Sequence, residues 1–299
     1  MINYTIIIPH YNIPDLLMRC LKSIPIREDI QVVVVDDCSD GADEYLKLYP
    51  DLSRPYLELY STTEGGLAGV ARNVGLEHAK GKWIVFADAD DFFCENISVV
   101  FDRYLESEEE IIYFNISAVF SDDVSKISTR GGRRDRFFKE YERTHDESWF
   151  RSSCFTPWAR FTRKELIDRI NARFDSTRVG NDVYFGVFTG INAKKIKVVN
   201  EIVYILTERP GSLAYRLCPT IKEWEIRYGV SCRTQEIVDK SPFKMLDGDI
   251  ISYLAKLRRM DKSRYIAEIW KLRSRPRYFV LAIIDGLKSF IRQRMKNFL

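Results

Sequence analysis

The chain opens with TIIIPHYNIPDLLMRCLKSIPIREDIQVVVVDD, residues 5–37, and this stretch decides the fold class. Residues 5–8 and 30–35 are apolar runs rich in β-branched side chains, and residues 13–24 between them carry apolar side chains at helical spacing. Runs that are apolar on both faces are typical of a sheet that helices cover on both sides. The stretch therefore predicts a strand, a helix and a second, parallel strand.

The same alternation continues to residue 119. Further strands are expected at 57–60, 83–87 and 111–119, and further helices at 69–78 and 97–105. Strands that alternate with helices predict an α/β domain with an open, mostly parallel, Rossmann-like sheet flanked by helices.

The pattern changes after residue 119. Residues 121–151 are polar and contain a basic cluster, so we expect a surface loop there. The cluster consists of Arg130, Arg133, Arg134 and Arg136. Beyond it, helices are expected at 163–170 and 182–190 and a strand at 196–205, whereas after Pro219 every pattern is helical.

These changes predict two regions. The first is a catalytic domain of residues 1–219, with a nucleotide-binding half, 1–119, and an acceptor-binding half, 120–219. The second is a helical C-terminal region of residues 220–299, whose helices are expected at 221–238, 249–260, 264–272 and 278–298.

The composition is that of a globular protein. The 299 residues are 45% hydrophobic and 30% charged, which excludes a disordered chain. The net charge of +3 does not indicate a nucleic-acid partner. The charge is unevenly distributed along the chain. Residues 251–299 hold 13 basic and 3 acidic side chains, a net charge of +10, which leaves −7 for the rest of the chain.

The cysteines and apolar runs predict a cytoplasmic protein. The six cysteines form no CxxC pair and no zinc-type spacing with histidine, as expected of reduced thiols. No signal-peptide pattern is present. Residues 278–284, an apolar run near the C-terminus, fall far short of the ~20 residues that span a bilayer.

Three carboxylates follow the strand expected at 83–87. Asp88, Asp90 and Asp91 belong to the sequence FADADD, and ligands of open α/β sheets bind at the carboxyl ends of strands. Adjacent carboxylates repel one another unless a cation relieves them, and oxygen ligands suit Mn²⁺ or Mg²⁺. The alternative is an acidic turn that caps the next helix.

Other polar motifs also follow predicted strands. PHYN at 9–12 follows the first, DDCSD at 36–40 the second, and GLAGVARNVG at 66–75 precedes the acidic turn. In order and spacing these motifs resemble the family 2 glycosyltransferases of GT-A fold, inverting enzymes that use nucleotide-diphosphate sugars. The resemblance covers roughly the first two-thirds of the chain and extends to bacterial capsule, exopolysaccharide and lipopolysaccharide enzymes.

The resemblance implies a nucleotide-sugar site. Asp37 would accept the ring N–H of a uracil, and Pro9 and Tyr11 would line the base and ribose pocket. Arg72 would bind the diphosphate or the neighbouring carboxylates.

The resemblance also implies how the diphosphate is held. Asp88 would contact the ribose or the metal, and Asp90 would be the principal metal ligand. TERPGSL at 207–213 is similar to an Arg-x-x-Gly-Ser element of the family, in which Arg209 and Ser212 would bind the diphosphate. An ordinary exposed turn at Pro-Gly is the alternative.

An acceptor segment is implied by TPWARFTRKEL at 156–166 and VGNDVYF at 179–185. The family usually has Glu-Asp where this chain has Asn181 and Asp182. An inverting displacement needs one base, and Asp182 is the only carboxylate of this motif able to serve. Asp182 or Asn181 capping the next helix is the alternative. Asn181 and Trp158, which would stack on a sugar ring, are the expected acceptor contacts.

The C-terminal pattern predicts an amphipathic helix at 278–298. Apolar residues recur at intervals of three and four, and basic residues occupy the other side. Such a helix suits an anionic membrane surface, so membrane contact through residues 276–299 is expected. Packing on the catalytic domain or on a second subunit fits the pattern equally, and a homodimer stays open.

Together these observations predict a metal-dependent inverting glycosyltransferase. It would move a sugar from a nucleotide diphosphate, expected to be UDP, to a saccharide acceptor, expected to be lipid-linked, at the inner face of the cell membrane. A nucleotidyltransferase that forms nucleotide sugars is an alternative, but PHYN stands where its Gly-rich phosphate loop would be. A non-catalytic nucleotide-sugar-binding protein is the third possibility, supported only by Asn181.

Overall fold

The computed structural model describes residues 1–41, 55–63, 65, 67–209, 220–243 and 250–296, with backbone only at 133 and 289–296. Within these ranges lie one sheet of eight strands and eleven α-helices. No helix in these ranges combines the length and the apolar character needed to cross a bilayer.

The first half is built from parallel strands and helices, as the alternation predicts. Its elements are β1 (Tyr4–His10), α1 (Pro14–Ser23), β2 (Ile30–Asp36), β3 (Leu57–Ser61), α2 (Ala68–His78) and β4 (Trp83–Phe86). β1 pairs in parallel with β2 and with β4, and β2 pairs in parallel with β3. The carboxyl ends of these strands therefore meet at one edge of the sheet.

The continuous apolar runs are explained by two cores. Ile6 and Ile8 of β1 pack in one apolar cluster, whereas Ile7 between them packs in a second cluster with Val33 and Phe86. Since successive side chains of a strand point to opposite faces, both faces of the sheet are covered.

The second half extends the sheet with mixed pairing. Its elements are β5 (Phe92–Phe93), α3 (Ile97–Tyr104), β6 (Ile111–Phe120), α4 (Gly132–Thr144), α5 (Ser148–Ser152), β7 (Arg160–Arg163), α6 (Lys164–Arg169), α7 (Val183–Asn192) and β8 (Ile196–Glu208). The strand order is β3-β2-β1-β4-β7-β6-β8-β5, in which β7 is antiparallel to both neighbours and β5 is antiparallel to β8.

The prediction of a surface loop at 121–151 is wrong, because α4 and most of α5 lie there. Phe138 of α4 is fully buried, and Phe137 and Tyr141 pack against the same cluster. Arg134, from the basic cluster, is only 7% exposed and donates hydrogen bonds to the carbonyl oxygens of Phe114 and Ala159. Arg134 is therefore a buried structural side chain, whereas Arg130 and Arg136 of the same cluster are exposed.

The C-terminal region is helical in its described parts, as expected. It contains α8 (Ile221–Asp239), α9 (Ile250–Met260), α10 (Lys262–Lys271) and α11 (Pro276–Lys296). A capping box between Thr220 and Glu223 begins α8, which packs against α7. Arg233 of α8 forms an ion pair with Asp175 and lies 4.2 Å from the ring centre of Tyr184. The boundary at residue 219 remains a prediction.

Candidate active site

A buried histidine at the end of β1 contacts the last residue of β2 and the loop that follows β1. Nδ1 of His10 lies 2.9 Å from Oδ1 of Asp36, and the backbone N–H of Ile13 donates to Nε2 of His10 at 3.2 Å. Both contacts are satisfied when the ring is neutral and carries its proton on Nδ1. His10 thus ties the end of β2 to the loop after β1 at the carboxyl edge of the sheet.

Asp37 lies at this edge and is 4% exposed. Its carboxylate accepts hydrogen bonds from the hydroxyl of Thr62 at 2.8 Å and from the backbone N–H of Leu67 at 2.6 Å. Pro9 is half-buried and Tyr11 is 52% exposed at the same edge. Each carboxylate oxygen can accept two hydrogen bonds, so these two contacts leave Asp37 able to accept another from a base. The contact with a base that the resemblance implies stays a prediction.

Arg72 of α2 connects two distant motifs. Its Nη2 donates to Oδ1 of Asp88 at 2.6 Å, and its Nη1 donates to Oδ1 of Asn181 at 2.9 Å. The guanidinium is 5.4 Å from the ring centre of Phe174, and the residue is only 6% exposed. The fold thereby brings the acidic turn and the acceptor segment into one site.

The acidic turn forms a cluster of three carboxylates. Asp88, Asp90 and Asp91 each present an oxygen within 4.8 Å of the others. Asp91 is 1% exposed and accepts from the backbone N–H of Thr207 at 2.7 Å and from the hydroxyl of Tyr204 at 3.0 Å. Asp91 therefore fastens β8 to the turn.

The alternative of a helix cap does not hold for this turn. α3 begins at Ile97, and the residue at its N-cap position is Asn96. The three aspartates precede that position and are held by other contacts.

The cluster carries excess negative charge. Burial and the neighbouring charge of Asp88 raise the pKa of Asp90, although Arg209, whose Nε lies 3.3 Å from Oδ2 of Asp90, lowers it. Burial, with the charges of Asp90 and Asp88, raises the pKa of Asp91 well above its ordinary value. Ser212, the other residue expected at the diphosphate, lies outside the described residues.

The chemistry of the three side chains fits a divalent cation. All the donors are carboxylate oxygens, and Asp88 and Asp90 remain partly exposed. Asp91 is less suited to direct contact, because both of its oxygens already accept hydrogen bonds from β8. Asp88 and Asp90 are therefore the side chains that could hold a metal here.

Asp182 occupies the N-cap position of α7, but its side chain makes no capping hydrogen bond. Burial raises the pKa of its carboxyl group, whereas the charges of Arg72 and Arg227 lower it and that of Asp88 raises it. The carboxyl group thus lies within the electrostatic reach of the Arg72–Asp88 pair. A carboxylate with a raised pKa is a stronger base than an ordinary aspartate.

Asn181 packs against the start of α2. A Cβ atom on Gly69 would lie 2.9 Å from Cβ of Asn181 and 2.2 Å from the carbonyl oxygen of Asp175. The Nδ2 group of Asn181 donates to the carbonyl oxygen of Thr177 at 3.3 Å. Both hydrogen-bonding ends of Asn181 are therefore used within the protein, one of them by Arg72.

Trp158 uses its ring inside the protein. It stacks on Tyr204 with ring centres 5.7 Å apart, and the guanidinium of Arg134 lies 5.4 Å from its centre. Stacking of Trp158 on a sugar stays a prediction.

Three residues at the site were missed from the sequence. Two of them, Tyr204 and Thr207 of β8, donate hydrogen bonds to the carboxylate of Asp91. The third, Arg19 of α1, donates to the carbonyl oxygen of Asp90 at 2.6 Å. Tyr204 and Arg19 come from a strand and a helix that carry no local motif, so only their tertiary position reveals them. Thr207 begins the motif TERPGSL, but nothing in that motif indicates its contact with Asp91.

Curated relatives are glycosyltransferases. The chain is 28% identical over 219 residues to EpsJ of Bacillus subtilis, which covers 70% of this chain and 62% of EpsJ. It is 25% identical over 223 residues to GlyA of Streptococcus pneumoniae, which covers 70% of this chain and 31% of GlyA. The chain thus spans less than two thirds of either relative.

Solved structures share the fold. Staphylococcus aureus TarS 1–349, crystallised with UDP-GlcNAc, superimposes with a TM-score of 0.60 at 18% identity, over 88% of this chain and 74% of that one. The match supports a GT-A type sheet with a helical C-terminal region. The family model of glycosyl transferase family 2 matches residues 5–170, more than half of the chain, and it includes the acidic turn and Arg72. This chain belongs to glycosyltransferase family 2.

Proposed function

We propose that the protein is a metal-dependent inverting glycosyltransferase that moves a sugar from a UDP-sugar to a hydroxyl group of a saccharide. The observation that carries the proposal is the pair of hydrogen bonds from Arg72 to Asp88 and Asn181. It joins the expected donor site to the segment that holds Asp182.

Asp182 would act as the base. As the acceptor oxygen attacks the anomeric carbon, its proton passes to the carboxylate of Asp182. The bond from the anomeric carbon to the diphosphate oxygen breaks, and the diphosphate leaves with the bonding electrons. Attack from the face opposite the leaving group inverts the anomeric centre.

Positive charge on the other side of the site would favour departure of the diphosphate. Arg72 and Arg209 each neutralise one aspartate of the turn, so both guanidinium groups are close to the expected position of the diphosphate. Mn²⁺ or Mg²⁺, held by Asp88 and Asp90, would supply further positive charge there when bound.

The donor and acceptor are also proposed. Asp37, Pro9 and Tyr11 lie together at the edge where a base would bind, and the TarS structure with UDP-GlcNAc supports UDP as the nucleotide. Similarity to TarS of Staphylococcus aureus, a poly(ribitol-phosphate) beta-N-acetylglucosaminyltransferase that is 32% identical over 97 residues, supports a role in bacterial surface polysaccharide synthesis. We place the acceptor on a lipid carrier, which would locate the enzyme at the inner face of the cell membrane.

A thermal-shift screen of nucleotide sugars, with and without Mn²⁺, tests the donor. We expect a metal-dependent rise in melting temperature with a UDP-sugar and a smaller one with GDP-mannose. UDP release with a saccharide acceptor then tests the transfer. Pyrophosphate release from UTP and a sugar phosphate would instead indicate a nucleotidyltransferase, and tight binding without turnover with any acceptor would indicate a binding protein.

A further inference from the structure

Helix α11 is apolar on two sides. On one side Tyr278 and Ala282 are 7% and 1% exposed and pack in a cluster with α9 and α10. On the other side four large apolar residues remain exposed by 41% to 57%, namely Val280, Ile283, Ile284 and Leu287. Packing of the helix on its own protein therefore explains only the first side.

The four residues form a single stripe. Their spacing of three, four and seven places them on one face over two turns of helix. A monomeric protein rarely leaves a contiguous apolar stripe exposed unless the stripe binds something.

Helix α10 enlarges this surface. Ile266 and Trp270, one turn apart, are 54% and 55% exposed. The ring centre of Trp270 lies 6.4 Å from that of Phe279, which directly precedes Val280. The two helices thus present adjoining apolar surfaces, and we name these six exposed residues, Ile266, Trp270, Val280, Ile283, Ile284 and Leu287, the apolar face.

Unpaired cations flank the apolar face. Lys262 and Arg273 stand at either end of the Ile266–Trp270 row, and Arg277 and Lys288 lie beside the stripe on α11. Among the described residues, none of these four cations has a carboxylate within ion-pair distance. Others in the region do, namely Arg258, Arg264, Lys271 and Arg275. Lys256 and Arg259 of α9 also lack a carboxylate within ion-pair distance among the described residues, so the unpaired positive charge of this region includes the four cations beside the apolar face and extends to α9.

We infer that the apolar face docks on the headgroup region of an anionic lipid bilayer. Isoleucine, leucine and valine would enter the boundary of the acyl chains, and the indole of Trp270 suits the interface between apolar and wet regions. The four cations would meet lipid phosphates, each adding to the attraction. Arg273, whose guanidinium lies 4.9 Å from the ring centre of Trp270, would reach a lipid phosphate while the exposed indole enters the interface.

Charge favours a bilayer over a second copy of this chain. A two-fold symmetric dimer would bring the same face of both copies together, and with it two sets of unpaired cations. Their repulsion would oppose such a dimer, whereas an anionic surface neutralises the same charges.

This inference rests on the proposed function: it names the surface through which the enzyme would bind the membrane that carries its acceptor. Vesicle binding needs no donor, acceptor or metal, so its failure would leave the transfer reaction untouched. Conversely, a protein inactive in transfer would still bind vesicles through this face.

Vesicle flotation of the full-length protein tests the inference. We expect flotation with phosphatidylcholine vesicles that contain phosphatidylglycerol, and at least about tenfold less with phosphatidylcholine alone. The pair Ile284→Asp and Leu287→Asp should lower the bound fraction about tenfold or more. Because both side chains are exposed, the melting temperature should stay unchanged.

Matched variants serve as controls. Val99→Asp on α3 changes a residue that is 59% exposed on the catalytic half and should leave flotation unchanged. The pair Arg277→Gln and Lys288→Gln should weaken binding, whereas Lys139→Gln with Arg143→Gln, exposed cations of α4, should not.

Three outcomes would overturn the inference. One is the absence of flotation with anionic vesicles, and another is flotation that survives the Ile284→Asp, Leu287→Asp pair. The third is a lipid-free dimer, seen by light scattering, that the same pair dissociates while vesicles fail to bind. That result would assign the face to a second copy.

Discussion

The side chain of Asn181 accepts a hydrogen bond from Nη1 of Arg72 at 2.9 Å. The amide carries no charge, so among the described residues Asp88 is the only ion-pair partner of this buried guanidinium. The positive charge of Arg72 is then available to lower the pKa of Asp182, as it does. A glutamate at 181, which the family resemblance implies, would add a second carboxylate next to Arg72.

The variant Asn181→Glu should shift the pH dependence of the reaction. The added carboxylate offsets the charge of Arg72, so the pKa of Asp182 rises further. Because the deprotonated base is the active form, the rising limb of kcat against pH should move to higher pH. Asn181→Gln adds the same length without charge and should leave the limb in place; an equal shift in both variants would contradict this explanation.

Replacement of Asp182 by asparagine should abolish most of the transfer. Loss of a general base typically lowers kcat by about 10²–10⁴-fold. The side chain makes no capping hydrogen bond, so the melting temperature should change little. The exposed Asp168→Asn, which loses only an ion pair with Lys164, is the matched control. Near-normal turnover of Asp182→Asn would show that another group is the base.

The two neighbours Asp90 and Asp91 should differ in what they support. Asp91→Ala leaves the buried N–H of Thr207 and hydroxyl of Tyr204 without their acceptor, which should cost about 1–3 kcal/mol of unfolding free energy. Asp90→Ala removes only the partly exposed contact with Arg209 and should instead abolish the thermal shift caused by Mn²⁺. Urea unfolding and thermal shifts measure both; similar losses of stability would argue against this division.

The metal-free protein should lose stability relative to Asp90→Ala as the pH rises. Burial and Asp88 raise the pKa of Asp90, so above about pH 4 the folded chain binds more protons than the unfolded chain. Stability then falls with rising pH until Asp90 is deprotonated in both states. The difference in melting temperature between variant and wild type should widen over this range and shrink when Mg²⁺ or Mn²⁺ is added. A difference in melting temperature that stays constant with pH would contradict a raised pKa of Asp90.

A methyl group at Gly69 should disturb the site. Its Cβ would lie 2.2 Å from the carbonyl oxygen of Asp175, so the loop that carries Asn181 would have to move. We expect Gly69→Ala to lower kcat strongly and the unfolding free energy by about 1–3 kcal/mol. Gly229→Ala in α8 meets open space and should stabilise the protein by about 0.5–1 kcal/mol. Full activity of Gly69→Ala would show that α2 does not need to pack tightly against the loop that carries Asp175 and Asn181.

Local sequence patterns predicted the parallel half of the sheet well. β1, β2 and β4 are buried apolar runs, and α1 and α2 between them have clear helical spacing. β7 was missed because it is only four residues long and begins with Arg160, a fully buried cation that is polar in any pattern. α4 was not predicted because most of its residues are charged, a composition that indicates an exposed loop despite Phe137 and Phe138.

The same limit applies to the site. The acidic turn stands out because three carboxylates share one strand end, a feature visible in six consecutive residues. The amphipathic pattern at the C-terminus was also visible, but not that α11 turns one apolar side inward and leaves the other exposed. Which side is covered depends on where α9 and α10 lie.

By itself, the sequence determined the fold class, the family and the side chains available for chemistry, because periodicity and short motifs depend on neighbours along the chain. Only the tertiary structure decided that Arg72 bonds to Asp88 and also to Asn181, which lies 109 positions beyond Arg72 in the chain. It also decided that Asp91 fastens β8 to the acidic turn. These contacts depend on how the sheet brings separate loops to one edge. Hydrogen bonds and Coulomb interactions act over a few ångströms in space, whatever the separation in sequence.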